Sequence, residues 1–495
     1  MTKGPDLNDT LRNEGEDAVR ARSDRAEKYE PNGGTAPASS DITGGKKSKR
    51  GRSSGKATAD APEFSDEALA LSFAAAHADD LRYVAAWSSW LMWDGCLWHF
   101  DDTLRAYDLV RQLCRTASTV CRKPDKANGL ASAKTVAAVE RLARSDRRLA
   151  ASFEQWDADP WLLTCTTVTV DLRTGIERSP CSRDYITKRT ACDPAPKGTP
   201  HPVWSAFLDR ITAGNTELQQ FLQRDMGYSL TGITTEQSFT FAHGGGANGK
   251  STLINTIVKI FGDYATTADM NTFLANNYDR HPTDLAKLHG ARLVVAQEMQ
   301  QGRSWDETKI KALTGGDRIS ARFMRQDDFE FEPKFKLFIT GNHKPKLATI
   351  DEAMHRRLLL VPFTVQIPKS ERDPHLMQKL EAEWPAILRW VIDGCLEWQR
   401  IGLAPPSIVQ EATQDYFDDE DTISQWLEEK CDVDLGNEFK YEPVADLFES
   451  WSAFATRGGC QPGSKNDFSE QLKNRGFKQK RTTKTRYLVG LRLKV

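Results

Sequence analysis

Ser238-Phe239-Thr240-Phe241-Ala242-His243-Gly244-Gly245-Gly246-Ala247-Asn248-Gly249-Lys250-Ser251 is the stretch on which the reading of this chain turns. Residues 238–242 form an apolar run of strand character, and residues 252–261 follow with the periodicity of an amphipathic helix. The pattern Gly-x-x-x-x-Gly-Lys-Ser therefore falls between a strand and a helix, the context in which it cradles phosphates. Glycines let the backbone curl so that its N–H groups face an anion. The helix N-terminus adds its partial positive charge. On this reading Gly244, Gly245, Gly246, Ala247, Asn248, Gly249, Lys250, Ser251 and Thr252 line a nucleotide site. Lys250 reaches the β and γ phosphates and Ser251 places its hydroxyl on a magnesium ion, so ATP and Mg²⁺ are the expected cofactors. The loop alone does not separate a kinase from a motor.

Two further strands are expected to deliver side chains to that loop. In Arg292-Leu293-Val294-Val295-Ala296-Gln297-Glu298, four apolar residues end in polar ones. Ligand-facing groups in open α/β sheets stand at the carboxyl ends of strands. Glu298 is thus the candidate to activate the attacking water and to support the metal. Lys336-Leu337-Phe338-Ile339-Thr340-Gly341-Asn342 repeats the design, with Asn342 placed to sense the γ phosphate. Beyond it lies His355-Arg356-Arg357-Leu358. One of Arg356 and Arg357 is the candidate to stabilise charge on the transferring phosphoryl group, from a neighbouring subunit, and the other to form a structural ion pair. The sequence leaves that choice open.

Taken in order, these motifs resemble one family. Gly-Gly-Gly-Ala-Asn-Gly-Lys-Ser-Thr (244–252), Leu288-x-Gly290-Ala291-Arg292-Leu293 leading to Glu298, Lys311-x-x-Thr314-Gly315-Gly316-Asp317, Phe331-x-Pro333, Thr340-Gly341-Asn342-His343-Lys344-Pro345 and Arg356-Arg357-Leu358 are similar to the superfamily 3 helicase module. The likeness is to the helicase half of phage and plasmid primase-helicases, relatives of the poxvirus-type replication ATPase. What the resemblance implies is a homo-oligomeric ring, a hexamer, with ATP between subunits and single-stranded or forked DNA in the channel. Movement is 3′ to 5′ in most of the family. The resemblance also implies a DNA-touching hairpin between the acid and sensor strands, here residues 318–323 and 329–331 with a tip at 324–328. Arg322 and Arg325 are its candidate phosphate contacts, Asp327 and Asp328 oppose them, and Lys311 in the preceding helix is an additional candidate. This chain departs from the family in having Gln297-Glu298 where many members carry paired acids. It also places a tail, not a priming domain, ahead of residue 64, so primer synthesis is not expected of it, and a primase or polymerase is the expected partner in trans.

The expected fold class is α/β, a P-loop NTPase (AAA+-like) core with a helix-rich N-terminal domain and a C-terminal winged helix. The divisions read as a polar, basic disordered tail at 1–62, the helix-rich domain at 63–198, the ATPase core at 199–370, a helical connector at 371–415 and the winged helix at 416–495. In the helix-rich domain, Trp90-Leu91-Met92-Trp93-Asp94-Gly95-Cys96-Leu97-Trp98 reads as two strands joined by an Asp-Gly turn. Residues 166–170 and 185–186 look strand-like, and the proline-rich stretch 194–202 reads as a linker. Among the 495 residues the net charge is −2, which does not advertise DNA binding. Residues 464–495, however, hold ten Lys or Arg against two acids, so a basic face is concentrated there. Lys473, Arg475, Lys478, Lys480, Arg481 and Lys484 are its candidate DNA contacts. The nine cysteines form no C-x-x-C pair and there is no long apolar run or signal peptide. The expectation is a reduced protein of the host cytoplasm with no membrane partner. The resulting reading is an ATP-dependent DNA helicase of phage, prophage or plasmid replication. Its rivals are a P-loop kinase, which would need an acceptor site, and an ATP-regulated origin-binding initiator that does not unwind.

Overall fold

In the computed structural model, residues 63–275, 283–297, 302–322, 327–347, 351–458, 462–482 and 485–494 are described. The expected tail at 1–62 lies outside them. Among the described residues no helix is long and apolar enough to cross a membrane.

The centre is a five-stranded sheet whose neighbours all run parallel. Its strands, from one edge, are Leu358–Pro362, Phe239–His243, Lys336–Gly341, Leu293–Gln297 and Ala265–Asp269. The strand ending at Gly341 is buried along its whole length, as a parallel strand covered on both faces must be. The register sets Thr340 beside both Ala242 and Gln297. The glycine-rich loop after His243, the end of the strand Leu293–Gln297 and Asn342 therefore leave the sheet at one edge, its carboxyl edge.

Helices Pro202–Ile211, Thr216–Ser229 and Trp384–Ile401 pack with the loop helix Lys250–Phe261 in one core. Three short antiparallel strands, Leu162–Thr164, Thr169–Asp171 and Ile176–Arg178, join that core through Leu163, Val170 and Leu172. A separate core holds helices Asp66–Ala76, Arg105–Val120 and Ala133–Ala143. Ser65 caps the first of these by accepting from the Ala68 amide at 3.1 Å. The Asp-Gly turn is present: Trp93 pairs with Trp98, and Asp94 Oδ1 accepts from the Cys96 and Leu97 amides at 2.7 and 2.8 Å. Trp90 and Trp98 are buried with bonded indole nitrogens, to Glu140 and to the Ser182 carbonyl, so they act as core residues.

Other local expectations are corrected. Strand structure near 166–170 begins only at Thr169, and Tyr185 is in no strand; its φ is +52°. The proline-rich stretch is not a free linker. The Ala195 amide donates to the Pro385 carbonyl at 2.8 Å, and Arg389 Nε donates to the Ala195 carbonyl at 2.7 Å.

Two buried cations tie these layers together at the amino edge of the sheet. Arg292 donates to the carbonyls of Leu230 and Leu162 at 2.7 and 2.8 Å and lies 4.5 Å from the Tyr264 ring. Lys336 donates to the carbonyls of Thr231 and Ile233. Asp225, wholly buried beside them, accepts from Thr240 Oγ1 at 2.9 Å, and burial pushes its carboxyl up to about 7.

At the C-terminus, helices Thr422–Lys430, Val444–Arg457 and Lys465–Asn474 enclose a core of Trp426, Leu447, Trp451, Phe468 and Leu488. Lys478–Arg481 and Arg486–Val489 pair antiparallel, Tyr441–Pro443 adds a third strand to them, and Leu491–Leu493 turns away to pair with Cys431–Val433.

Candidate functional site

The loop at 244–250 is shaped by contacts that leave little choice of residue. Gly249 has φ +89°, and a Cβ there would stand 2.3 Å from Ile211 Cγ2. At Gly244 a Cβ would stand 2.1 Å from the Phe363 carbonyl oxygen. Ala247 also takes a left-handed conformation, φ +61°. The segment after the last strand braces the loop: Asn248 Nδ2 donates to the Phe363 carbonyl at 3.2 Å, and the Ile367 amide to the Ala247 carbonyl at 2.8 Å. Gly245 and Gly246, by contrast, face open space. The loop is therefore pinned at both ends and open in the middle.

Lys250 is buried, and every partner of its ammonium among the described residues is a neutral oxygen: Gly244 O at 2.7 Å, Gly245 O at 3.2 Å, Asn248 Oδ1 at 3.1 Å and Asn342 Oδ1 at 3.3 Å. Burial lowers its pKa to about 8. A buried cation without a counter-charge among the described residues favours an arriving anion. Ser251 is exposed in the first turn of the loop helix and Thr252 is half-buried behind it. Gln297 Nε2 donates to Asn255 Oδ1 at 2.9 Å, which ties the end of the acid strand to the loop helix. His243, beneath the loop, has its pKa lowered by burial and by Lys344 and Lys250. Glu298 lies outside the described residues.

The two arginines differ sharply. Arg357 is buried, donates to Thr314 Oγ1 at 3.2 Å and to the Ala353 carbonyl at 2.8 Å, and its own carbonyl accepts from the Phe239 amide. Arg356 is exposed and has no side-chain partner among the described residues. Both stand at the amino edge of the sheet, next to Leu358, which pairs with Phe239. The strand between them and the loop edge is roughly 16 Å long.

The expected DNA contacts are scattered. Lys311 is paired to Asp351, with Glu307 at 4.0 Å. The hairpin is present as Ile319–Arg322 and Asp328–Phe331. Asp328 belongs to its second strand, not its tip, and lies 3.7 Å from Arg322. Arg325 and Lys484 fall outside the described residues. Arg475 is bound to Asp421 at 2.7 Å and Lys480 to Glu438 at 2.8 Å, while Lys473, Lys478 and Arg481 are exposed. Among the described residues no cluster of three or more His, Cys, Asp or Glu could hold a metal, so Ser251 is the described candidate ligand. In the sequence Arg292 and Lys336 carry the signal of a charge opening an apolar strand, whereas Asp225, within helix Thr216–Ser229, carries none.

Comparison with known proteins agrees with the motifs. The family description "D5 N terminal like" matches residues 70–213, and a family described only as of unknown function matches residues 242–357. The chain is 24% identical over 335 residues to "Putative helicase L207/L206" of Acanthamoeba polyphaga mimivirus, covering 63% of this chain and 35% of that protein. It is 24% identical over 258 residues to "Putative helicase 022R" of Frog virus 3, covering 48% and 26%. It is 29% identical over 150 residues to "Putative helicase V13" of Sputnik virophage, covering 29% and 19%. The chain thus spans about a third or less of the length of these relatives. One apo structure of the NrS-1 C terminal region aligns over 86% of this chain and 100% of that one, at 10% identity and a TM-score of 0.47. The fold and site define a mixed α/β protein organised around a glycine-rich loop at the carboxyl edge of a parallel sheet. The chain is thus similar to the "D5 N terminal like" family over residues 70–213 and, at low identity, to viral proteins described as putative helicases.

Proposed function

We propose that this chain is the ATP-driven motor of a DNA helicase serving phage, prophage or plasmid replication, working as a ring on single-stranded DNA. The observation that carries the reading is Lys250, buried at the mouth of the loop with only neutral oxygens of the described residues around its ammonium and within 3.3 Å of Asn342. The site suits a triphosphate: Gly245 and Gly246 are open where phosphate oxygens would sit, and the buried Lys250 is positive. Magnesium-bound ATP would supply a phosphoanhydride whose hydrolysis releases the energy for movement.

The chain's own groups then have distinct tasks. Lys250 gives up the loop carbonyls for the β and γ phosphates, and Ser251 holds the metal. Asn342, freed from Lys250, orients the attacking water, and Glu298 takes its proton. Arg356 serves the neighbouring subunit: it is exposed, and a strand's length separates it from its own loop, whereas Arg357 is committed to Thr314 and Ala353. DNA is held by the hairpin around Arg322 and by a C-terminal winged helix whose exposed basic side chains are Lys473, Lys478 and Arg481. An ATP-dependent strand-displacement assay on forked DNA, with sizing of the nucleotide-bound assembly, tests the proposal. Displacement by a ring is expected. ATP hydrolysis without displacement would instead identify an initiator, and phosphoryl transfer to an acceptor a kinase.

A further inference from the structure

The helix-rich part ahead of the motor carries a charge that its fold does not use. Residues 104–149 contain eleven Lys or Arg against four Asp or Glu, in a chain whose overall charge is −2. Eight of the eleven are arginine, the side chain whose planar fork matches a phosphate. Helix Arg105–Val120 turns Ala106, Val110, Cys114 and Ala117 into the core, so its opposite side faces outward. On that side Asp108 is surrounded by Arg105 at 2.9 Å, Arg111 at 3.7 Å and Arg115 at 3.9 Å. One carboxylate among three guanidinium groups leaves a surplus of two positive charges. These arginine side chains are 47%, 55% and 61% exposed.

Surface ion pairs of this kind contribute little to stability and are readily exchanged. Asp108 holds the guanidinium groups side by side, and a phosphate can take its place at any of them. Arg111 and Arg115 are one helical turn apart, about 6 Å along the axis, which lets each take a separate phosphate. Gln112, exposed beside them, donates to Asp108 at 2.7 Å as well, so the carboxylate is shared among four donors. Between Arg105 and Arg115 the stripe presents no large apolar side chain, Leu104 and Val120 being exposed at the two ends of the helix. That argues against a protein partner, because the cores of protein interfaces are depleted in charge and rich in aromatic groups.

We infer that the stripe Arg105, Arg111 and Arg115 is a second DNA-binding surface, contacting the phosphate backbone without reading sequence. The inference rests on the helicase reading above. It places DNA contact on the N-terminal module as well as on the motor and the C-terminal domain.

The test uses the full chain, labelled single-stranded and duplex DNA of equal length, and a salt series. Arg111→Gln/Arg115→Gln is expected to weaken binding. The slope of log affinity against log salt should fall by about 1.4 on single strands or about 1.8 on duplex, two phosphate contacts' worth in either case. The arm that shows the change identifies the form of DNA on the stripe. Arg111→Lys/Arg115→Lys, which keeps both charges, is expected to retain the slope, which separates charge from any fault in folding. If the wild-type chain binds no DNA in either arm, the helicase reading falls and this inference with it. If the wild type binds and the glutamine pair keeps both affinity and slope, this inference alone is overturned and the stripe is left to an acidic protein.

Discussion

At the scale of single residues, Lys250 makes a claim about pH. Burial lowers its pKa from 10.5 to about 8. A cation depressed in the folded state binds fewer protons there than when unfolded. That group therefore makes stability rise with pH between about 8 and 10.5, the reverse of a salt-bridged lysine. Phosphate selects the protonated form, so the affinity consequence has the opposite sign. Nucleotide affinity should be level below pH 8 and then weaken by up to tenfold per pH unit. Titration with a fluorescent ATP analogue from neutral to alkaline pH checks this, and an affinity that stays level to pH 9 would contradict it. Lys250→Ala should abolish both the binding and its pH dependence. The arginine pair makes a second claim. Arg357→Ala removes the donor to Thr314 Oγ1 and the Ala353 carbonyl and should cost about 1–3 kcal/mol in denaturant melts. Arg356→Ala removes an exposed side chain and should leave the melt unchanged within about 0.5 kcal/mol.

At the scale of elements, the glycine-rich loop is a backbone shape held by neighbours distant in sequence. Gly249→Ala must fit a Cβ 2.3 Å from Ile211 Cγ2 at a φ of +89°. It is expected to lower stability by roughly 1–3 kcal/mol and to spoil nucleotide binding. Gly245→Ala meets open space, so its thermal melt should match the wild type; equal melts for both variants would refute the account of the loop. The strand-loop-helix order was legible because each part carries a strong local signal: apolar run, glycine pattern, helical period. Ser65 and Ser464 likewise cap their helices by accepting from amides three residues on, a local contact of the kind a sequence shows. The short strand expected at 166–170 was not, because so short a strand is decided by its partner, here Leu162–Thr164 on one side and Ile176–Arg178 on the other. Charge partners were hidden likewise. Lys311 meets Asp351 forty residues away and Arg475 meets Asp421 fifty-four residues away. Both had been candidate DNA contacts, since a sequence shows a basic side chain but not the carboxylate that occupies it.

At the scale of the whole molecule, the question is where Arg356 acts. The phosphate loop and Asn342 leave one edge of the sheet, and Arg356 leaves the other. A strand's length of roughly 16 Å separates the two, more than one arginine spans. Within one chain the pair cannot share a phosphate. In a head-to-tail ring, however, each subunit offers its amino edge to the next subunit's loop, and every interface becomes one complete site. Lys250→Ala and Arg356→Ala chains should then each be inactive alone, for different reasons. Mixed in equal amounts and allowed to exchange, they rebuild a site wherever an Arg356→Ala subunit supplies the loop and a Lys250→Ala subunit supplies the arginine. Random assembly makes that about one interface in four, so ATPase activity should return to about a quarter of the wild-type rate. Arg357→Ala should need no such rescue, since its ATPase activity would follow only the fraction that folds. Rescue of Arg357→Ala in place of Arg356→Ala would exchange the roles of the two arginines. If neither arginine variant is rescued by Lys250→Ala, the site is not shared between subunits and the ring reading is wrong.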